Sequence, residues 1–321
     1  MPVVPVTDSN LQKAASIIRE GGLVAFPTET VYGLGADAWN PEACARIFEV
    51  KNRPFFDPLI LHLAEYEMVF ELCSQVDPRA DRLMKKFWPG PLTVVLPKVE
   101  KVPDIVTAGL PTVAVRIPAH AAARELIRLA KTPIAAPSAN PFGRLSPTTA
   151  KHVEDQIGEN VDLILDGGPC EVGVESTIVA FIEDKPYLLR PGGIPLEEIE
   201  KEIGPVEIMK SSQRSPLSPG LLSRHYSPRT PFIILSGDLP KIDPGKKIGF
   251  LAFQKPPKSG LFQTVEILSP SGDLREAAVN LFACLHRLDN ANLDIIYAEP
   301  VPEEGLGRAI MDRLRKAAGK G

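Results

Sequence analysis

The sequence predicts an α/β protein with two domains. Its 321 residues are more than one small domain needs. Apolar residues make up 44% and charged residues 24% of the chain, which is the mixture of a protein with a packed core rather than of a disordered chain or a coiled coil. Short apolar runs alternate with capped amphipathic segments over the first two hundred residues, and this alternation is typical of a sheet covered by helices.

The elements of the first domain follow from capping residues and apolar runs. A cap residue, often followed by a proline at the first helical position, marks the start of a helix. Such starts occur at Asp8 or Ser9, Asn40 with Pro41, Asp77 with Pro78, and Ser146 with Pro147. Apolar and β-branched runs predict strands at 23–26, 59–63, 92–96, 112–117, 134–136, 161–165, 176–181 and 187–189. We therefore place the first domain at residues 1–207.

A change in composition separates the two domains. Residues 208–230 contain six serines, three prolines, four basic residues and no acidic residue, which predicts a flexible linker. Strands follow at 232–235, 248–253, 264–268 and 293–297, with helices at about 272–288 and 305–317. Residues 231–321 should therefore form a smaller α/β domain, in which no chemical motif is evident.

Composition excludes several classes of protein. The 36 basic and 40 acidic residues give a net charge of −4, so any anion site must be local rather than a cationic sheath for nucleic acid. The longest apolar runs, 178–182 and 281–285, are far shorter than the roughly 18 residues that cross a bilayer. No secretory segment is evident at the N-terminus, which favours a cytoplasmic location. The cysteines are 29, 97 and 114 residues apart, so we expect no metal site built from protein side chains.

Small polar and basic residues concentrate in three segments near the ends of predicted elements. Residues 27–35 and 136–141 each follow a strand, and residues 51–54 end a helix. Loops at the carboxyl ends of strands converge on the ligand crevice of an open α/β sheet, so these segments could build one site. The GxGxxA pattern at 33–38 lacks the strand and helix positions of a dinucleotide fingerprint, and no GxxxxGK[ST] occurs.

Five basic side chains in predicted strands or at the ends of predicted elements have alternative interpretations. Lys51 and Arg53 could face one polyanion, although cations also suit a helix C-terminus. His62 lies in a strand, where a hydrogen-bonded structural histidine is the commoner case. Arg116 needs an anionic partner, which is either internal or a substrate. Arg190 ends a strand as a surface cation or a phosphate ligand.

Six short motifs occur in a fixed order along residues 5–205. They are PTETVYGLG (27–35), KNRP (51–54), FWPGPLT (87–93), RIP (116–118), APSAN (136–140) and GVEST (173–177). In this order they resemble the motifs of the threonylcarbamoyl-AMP synthases of the YrdC-like superfamily, and RHYSP at 224–228 is similar to the longer, two-domain members. The sequence has Asp57 where that family usually has asparagine.

The resemblance implies a fold and a reaction. The fold is a YrdC-like mixed twisted sheet with helices, followed by a smaller C-terminal Rossmann-like α/β domain. The reaction joins L-threonine, bicarbonate and ATP into L-threonylcarbamoyl-AMP and pyrophosphate, with Mg²⁺ carried by the ATP phosphates. The product would pass to the machinery that modifies the adenosine next to the tRNA anticodon. A weak RNA contact fits this role, and a membrane partner does not.

The resemblance also implies site residues by motif matching. Lys51 and Arg53 are expected to act in catalysis, where removal of either should lower turnover by about 10²-fold. The residues expected around L-threonine are Thr30, His62, Arg116, Ala136 and Ser176. Those expected at ATP are Lys51, Arg53, Asp57, Thr112, Ser138, Asn140, Ser146, Arg190 and Tyr226. No general base is assigned, because positioning and fixed cations suffice for phosphoryl chemistry of this kind.

Two other functions and one dynamic role stay open. The chain could be a non-catalytic RNA-binding protein, or another carbamoyl or nucleotidyl transferase on the same scaffold. The cations and Tyr226 within 208–230 suggest a flap that closes over bound ATP and excludes water. The alternative is that these residues form a solvated spacer.

Overall fold

A mixed sheet of eleven strands forms the centre of residues 3–209 in the computed structural model, which describes residues 3–209, 225–237, 245–256 and 260–319. Its strands are β1 (Val3–Pro5), β2 (Val24–Phe26), β3 (Gly33–Asp37), β4 (Ile60–His62), β5 (Leu92–Pro97), β6 (Thr112–Arg116), β7 (Ile134–Ala135), β8 (Leu163–Asp166), β9 (Thr177–Ile182), β10 (Lys185–Arg190) and β11 (Glu207–Ile208). Its helices are α1 (Asp8–Arg19), α2 (Pro41–Lys51), α3 (Val69–Leu72), α4 (Pro78–Phe87), α5 (Asp104–Thr107), α6 (Ala121–Ala130), α7 (Ala150–Ile157) and α8 (Leu196–Ile203).

The strand order is β1-β8-β2-β3-β7-β4-β6-β5-β9-β10-β11, with parallel and antiparallel neighbours interspersed. The parallel pair β4–β6 aligns His62 with Arg116, so two candidate ligand residues end neighbouring strands side by side. Strand β11 pairs with β10 through Ile208. Pairing in the sheet therefore extends one residue into the predicted linker.

Helices cover both faces of this sheet because side chains alternate along each strand. On one face, α1 and α6 pack against Val24, Phe26 and Leu163. On the other face, α2, α4, α5, α7 and α8 bury a larger cluster that includes Ala25 and Leu61. Two packed layers of helices thus fix the strand ends that carry the candidate site.

The predicted elements agree with the structure except at particular positions. Asn40 and Asp77 cap α2 and α4 through their side chains, as predicted. Thr7 rather than Asp8 or Ser9 caps α1. Thr149 caps α7, so the predicted start at Ser146 is wrong; the Ser146 hydroxyl instead donates to the Glu175 carboxylate. Strand β3 was not predicted because two of its five residues are glycine, which strands disfavour.

A second, smaller sheet lies in the described part of residues 225–319. Its strands are β12 (Phe232–Ile234), β13 (Ile248–Ala252), β14 (Thr264–Ile267) and β15 (Ile295–Ala298), and its helices are α9 (Leu274–Asp289) and α10 (Gly307–Ala317). The strands pair in parallel in the order β12-β15-β13-β14. A parallel sheet covered by helices is the Rossmann-like architecture that the sequence predicts.

The apolar core of the second domain includes residues of the first domain. Val31, Leu145 and Val174 of the first domain are buried in the cluster formed by α9, α10 and the second sheet. A Cβ atom on Gly173 would lie 2.4 Å from the Ala278 carbonyl oxygen of α9, and its φ is +75°. Position 173 therefore requires glycine, both because a side chain would collide with α9 and because the positive φ disfavours other residues. The two backbones are in direct contact here. In the described part of the chain, none of the helices combines the length and the hydrophobicity that crossing a bilayer requires.

Candidate active site

A pocket at the ends of β4 and β6 is lined by residues from all three segments that are rich in polar and basic side chains, 27–35, 51–54 and 136–141. Nine of the fourteen predicted site residues line it: Thr30, Arg53, His62, Arg116, Ala136, Ser138, Ser176, Arg190 and Tyr226. The space in it that is open to the centres of water-sized spheres is about 40 Å³, within an empty volume of about 530 Å³ that includes the open mouth of the pocket.

Arg116 occupies the end of β6 and is 3% exposed. Its Nη2 atom lies 2.6 Å from Glu29 Oε1, and its Nη1 atom donates to Thr30 Oγ1 at 2.9 Å. Its Nε atom donates to the Gly90 carbonyl at 3.2 Å. The internal partner that a buried guanidinium needs is thus Glu29, and the same arginine lines the pocket.

His62 lies beside Arg116 and is 4% exposed. Burial, reinforced by the nearby Arg116 charge, lowers its pKa to about 3. Its Nδ1 atom has no hydrogen-bond partner among the described residues. At neutral pH the side chain is therefore an uncharged imidazole, which could accept or donate one hydrogen bond to a ligand.

Ser176 and Arg190 also line the pocket and contact each other. Arg190 donates from Nε and Nη2 to the Ser176 carbonyl at 3.1 and 3.0 Å, and from Nη2 to Ser176 Oγ at 3.1 Å. Ser176 Oγ also lies 2.7 Å from Thr93 Oγ1. A Cβ atom on Gly192 would lie 2.3 Å from the Glu175 carbonyl oxygen, so glycine permits the close approach of the two segments.

Arg53 enters the pocket from the loop after α2. Its Nη2 atom lies 2.9 Å from Asp57 Oδ2, with both side chains buried. It also donates to the backbone carbonyls of Asp57 and Pro58 at 3.0 and 2.8 Å. These three contacts fix the plane of the guanidinium. Asp57 itself does not line the pocket, and its visible role is to orient Arg53.

Lys51 is buried behind the pocket wall and does not line it. Its Nζ atom donates to the Ser138 carbonyl at 2.6 Å and to the Asn140 carbonyl. Burial, with Arg53 nearby, lowers the Lys51 pKa well below its ordinary value. The two hydrogen bonds from the Lys51 amino group anchor the 138–140 segment, which brings Ser138 to the pocket.

Three other predicted residues also lie outside the pocket lining. Thr112 starts β6, about 13 Å along the strand from Arg116 on the same face. Asn140 donates from Nδ2 to the Pro141 and Arg144 carbonyls at 2.9 and 3.0 Å. Ser146 is fully buried and bonded to Glu175. The last two hold loops in shape around the site.

Tyr226 closes the pocket from the segment between the domains. It is 1% exposed and has a φ of +58°, an uncommon conformation for a residue with a side chain. Its Oη atom has no hydrogen-bond partner among the described residues, and burial raises its pKa. The neighbouring His225 also lines the pocket. Predicted linker residues 210–224 lie outside the described residues.

Sequence reasoning missed Glu29, Glu175 and Arg313. The motifs quoted above contain both glutamates, but only the fold shows that each is buried against an arginine. Arg313 belongs to α10 of the second domain and is fully buried. Helical spacing could have revealed it, because Arg313 falls on the same stripe as Ile310 and Ala317.

Positive charge exceeds negative charge at the site. Five basic side chains lie in or directly behind the pocket wall: Lys51, Arg53, Arg116, Arg190 and Arg313. Three carboxylates pair with these arginines, namely Glu29, Asp57 and Glu175, and a fourth, Asp312, is shared between Arg313 and Lys316. The site therefore suits a polyanion. Among the described residues, no group of three or more histidine, cysteine or acidic side chains is arranged to hold a metal ion.

Two family profiles match consecutive parts of the chain. The profile of Sua5, YciO and YrdC proteins, described as telomere recombination, matches residues 16–192. The profile described as threonylcarbamoyl-AMP synthase, C-terminal domain, matches residues 194–319. Curated relatives named threonylcarbamoyl-AMP synthase extend over both parts. That of Pyrococcus abyssi is 46% identical over 98% of this chain and 95% of its own, and that of Bacillus subtilis is 43% identical over 97% and 94%.

Solved structures agree with these matches. P. abyssi Sua5 complexed with L-threonine is 44% identical and superposes with a TM-score of 0.94, covering 100% of this chain and 98% of that one. Escherichia coli YciO, at 24% identity and a TM-score of 0.54 over 60% of this chain and 95% of its own, shares the fold of the first domain. The predicted YrdC-like fold with a second domain is confirmed. The chain belongs to the threonylcarbamoyl-AMP synthase family.

Proposed function

We propose that this protein is an L-threonylcarbamoyladenylate synthase, which converts L-threonine, bicarbonate and ATP into threonylcarbamoyl-AMP and pyrophosphate. The observation that carries the proposal is the buried pocket in which Arg53, Arg116 and Arg190 converge. Full-length relatives carry the name of this activity. A site with excess fixed positive charge favours a triphosphate and the charge that builds up as pyrophosphate leaves.

The chemistry requires two bond-forming steps. The threonine amine adds to the bicarbonate carbon with loss of water, which gives an N-carboxylate. One oxygen of that carboxylate attacks the α-phosphorus of ATP, the bond from this phosphorus to the bridging oxygen breaks, and pyrophosphate leaves. Arg116 is suited to hold the threonine carboxylate, since its planar fork matches two carboxylate oxygens. Arg53 and Arg190 are suited to the phosphates.

We expect Mg²⁺ to arrive with the phosphates of ATP. Glu29, Asp57 and Glu175 are each paired with an arginine, so the cation would keep phosphate and water oxygens as ligands. When bound, it would neutralise part of the phosphate charge. We expect the product to serve a tRNA-modifying transfer reaction, and we therefore place the protein in the cytoplasm.

Pyrophosphate release from ATP, Mg²⁺ and bicarbonate tests the reaction. Release that requires L-threonine, exceeds that with serine or valine and stops without bicarbonate is the expected result. A folded protein that releases none under any condition would contradict the proposal. RNA binding with steep salt dependence and no turnover would then favour a binding protein, and activity with carbamoyl phosphate would favour a different transferase.

We also propose that residues 208–230 act as a flap over bound ATP. Support comes from Tyr226, which is buried in the pocket lining and adopts an uncommon backbone conformation. Opening would admit ATP, and closing would keep water from the mixed anhydride. Tyr226→Ala should therefore raise the pyrophosphate released per molecule of intact product. An unchanged ratio and unchanged ATP affinity would contradict this role.

A further inference from the structure

The second domain reaches the pocket wall through one side chain. Arg313 of α10 is 0% exposed. Its Nε atom donates to Glu175 Oε2 at 2.7 Å, and its Nη1 atom donates to the Pro191 carbonyl at 3.0 Å. One guanidinium thus holds both segments that carry Ser176 and Arg190. It also lies 4.9 Å from the centre of the Tyr226 ring, in cation–π contact.

Glu175 connects Arg313 to the candidate ligand residues. Its Oε1 atom accepts from Ser146 Oγ at 2.5 Å, and its carbonyl accepts from the Gly193 amide at 2.9 Å. It lines the pocket and directly precedes Ser176. Burial alone would raise the Glu175 pKa, but Arg313, Arg190 and the Ser146 hydroxyl hold it below its ordinary value.

We propose that Arg313 is a positioning residue for the reaction proposed above, so that the second domain completes the active site. Arg313 acts through Glu175 and Pro191 to fix the distance between Ser176 and Arg190. The inference rests on the proposed function, because it concerns the same pocket. It goes beyond that function by assigning a reaction-linked role to a residue of the second domain.

A matched control lies on the same helix. Arg308 of α10 also bridges the domains, with Nη2 3.2 Å from Glu197 Oε1, but this pair is 30% and 44% exposed and neither residue lines the pocket. Both arginines therefore join the domains, and Arg313 alone of these two contacts the pocket wall. Comparing variants of Arg308 and Arg313 distinguishes an effect on contact between the domains from an effect on the positions of the pocket residues.

The experiment measures kcat, the KM values for ATP and L-threonine, and the melting temperature of the full chain. Arg313→Met should lower kcat/KM by about 10²-fold, as a small misplacement of reacting groups does, and Arg308→Met should change it less than threefold. Arg313→Lys, which keeps the charge without the fork, should recover part of the loss. If Arg313→Met does not fold, Arg313→Lys replaces it in the comparison with Arg308→Met.

Two further readouts distinguish positioning from plain stability. If Arg313 acts through Glu175, the Arg313→Met/Glu175→Gln double variant should lose no more activity than Arg313→Met alone. The pH profile of kcat/KM in Arg313→Met should also gain a fall toward low pH, because Glu175 would keep only Arg190 and Ser146 against its burial. The neighbouring Asp312 of α10 would lose Arg313 but keep its ion pair with Lys316. Glu175→Gln should remove that fall.

The outcomes are separable. If the wild-type protein shows no threonine-dependent turnover, the proposed function fails. If the wild type turns over and folded Arg313→Met or Arg313→Lys matches it, the positioning role is overturned. Equal losses in Arg313→Met and Arg308→Met, or fully additive losses in the double variant, would also overturn it.

Discussion

Glu29 and Arg116 form a buried ion pair in which carboxylate and guanidinium are 2.6 Å apart, at 6% and 4% side-chain exposure. A substrate carboxylate that enters the pocket must share this guanidinium, because Arg116 already donates to Thr30 and Gly90 as well. The ion pair and these two hydrogen bonds thereby fix the orientation of the Arg116 guanidinium plane before substrate binds. Such preorganisation lowers the entropic cost of binding.

Arg116→Lys should weaken L-threonine binding. Lysine keeps the positive charge but cannot form two parallel hydrogen bonds, and a charge-assisted hydrogen bond contributes about 1.5–3 kcal/mol. We expect the KM for threonine to rise by about 10-fold or more. Arg128→Lys is the control, since Arg128 is an exposed partner of Glu65. An unchanged KM for threonine in a folded variant would show that Arg116 does not hold the amino acid.

Asp57→Asn should strengthen nucleotide binding. The substitution removes the carboxylate that neutralises Arg53 and leaves the two backbone carbonyls that orient it. The pocket gains one positive charge, so we expect a few-fold lower Kd for a non-hydrolysable ATP analogue, measured by calorimetry. Asp81→Asn, at an exposed pair with Lys85, should leave the Kd unchanged. Weaker binding would mean that Arg53 needs the carboxylate to keep its orientation.

Lys51→Met should cost both stability and turnover. Methionine would leave the buried Asn140 carbonyl without its donor, at about 1–3 kcal/mol for an unsatisfied group, while the Ser138 carbonyl would keep the Asn140 backbone amide. The 138–140 segment should then move and lower kcat by about 10²-fold. Urea unfolding and steady-state kinetics measure the two effects. Loss of turnover at unchanged unfolding free energy would indicate direct contact with the phosphates instead.

The free energy of unfolding should fall as the pH falls below neutrality. The pKa of His62 is about 3 in the folded protein against 6.5 ordinarily. Between these values the unfolded chain binds a proton that the folded chain does not, so stability drops by up to about 1.4 kcal/mol per pH unit. His62→Gln should reduce this slope between pH 6.5 and 5 by the share of one proton, and the remaining slope comes from His152, His225 and His286, whose pKa values burial also lowers. A slope as steep as that of the wild type would assign the effect to other groups.

Local signals in the sequence predicted much of the fold. Asn40 and Asp77 cap helices because cap and proline stand next to each other in the chain. The same kind of signal failed at Ser146, where a hydrogen bond to Glu175, 29 residues later, outweighs the local preference. Strand β3 exists through its neighbours β2 and β7 rather than through its own glycine-rich sequence.

The candidate site was predictable where its residues share a motif. Thr30, Arg53 and Ser138 stand in loops that the pattern singled out, and all three line the pocket. The partners that fix the charged residues were not predictable in the same way. Arg313 meets Glu175 across 138 positions, and only the packing of two domains brings such residues together.

That separation also bears on how the protein acquires activity during synthesis. The first domain emerges from the ribosome well before Arg313 does, because Arg313 follows its partner Glu175 by 138 positions. At translation rates of about 5–20 residues per second this interval is roughly 7–28 s. During it, the nascent chain has a formed sheet but a buried acid without its partner, and an apolar patch at Val31, Leu145 and Val174 without its cover. Nascent chains should therefore be inactive and prone to bind chaperones until α10 docks.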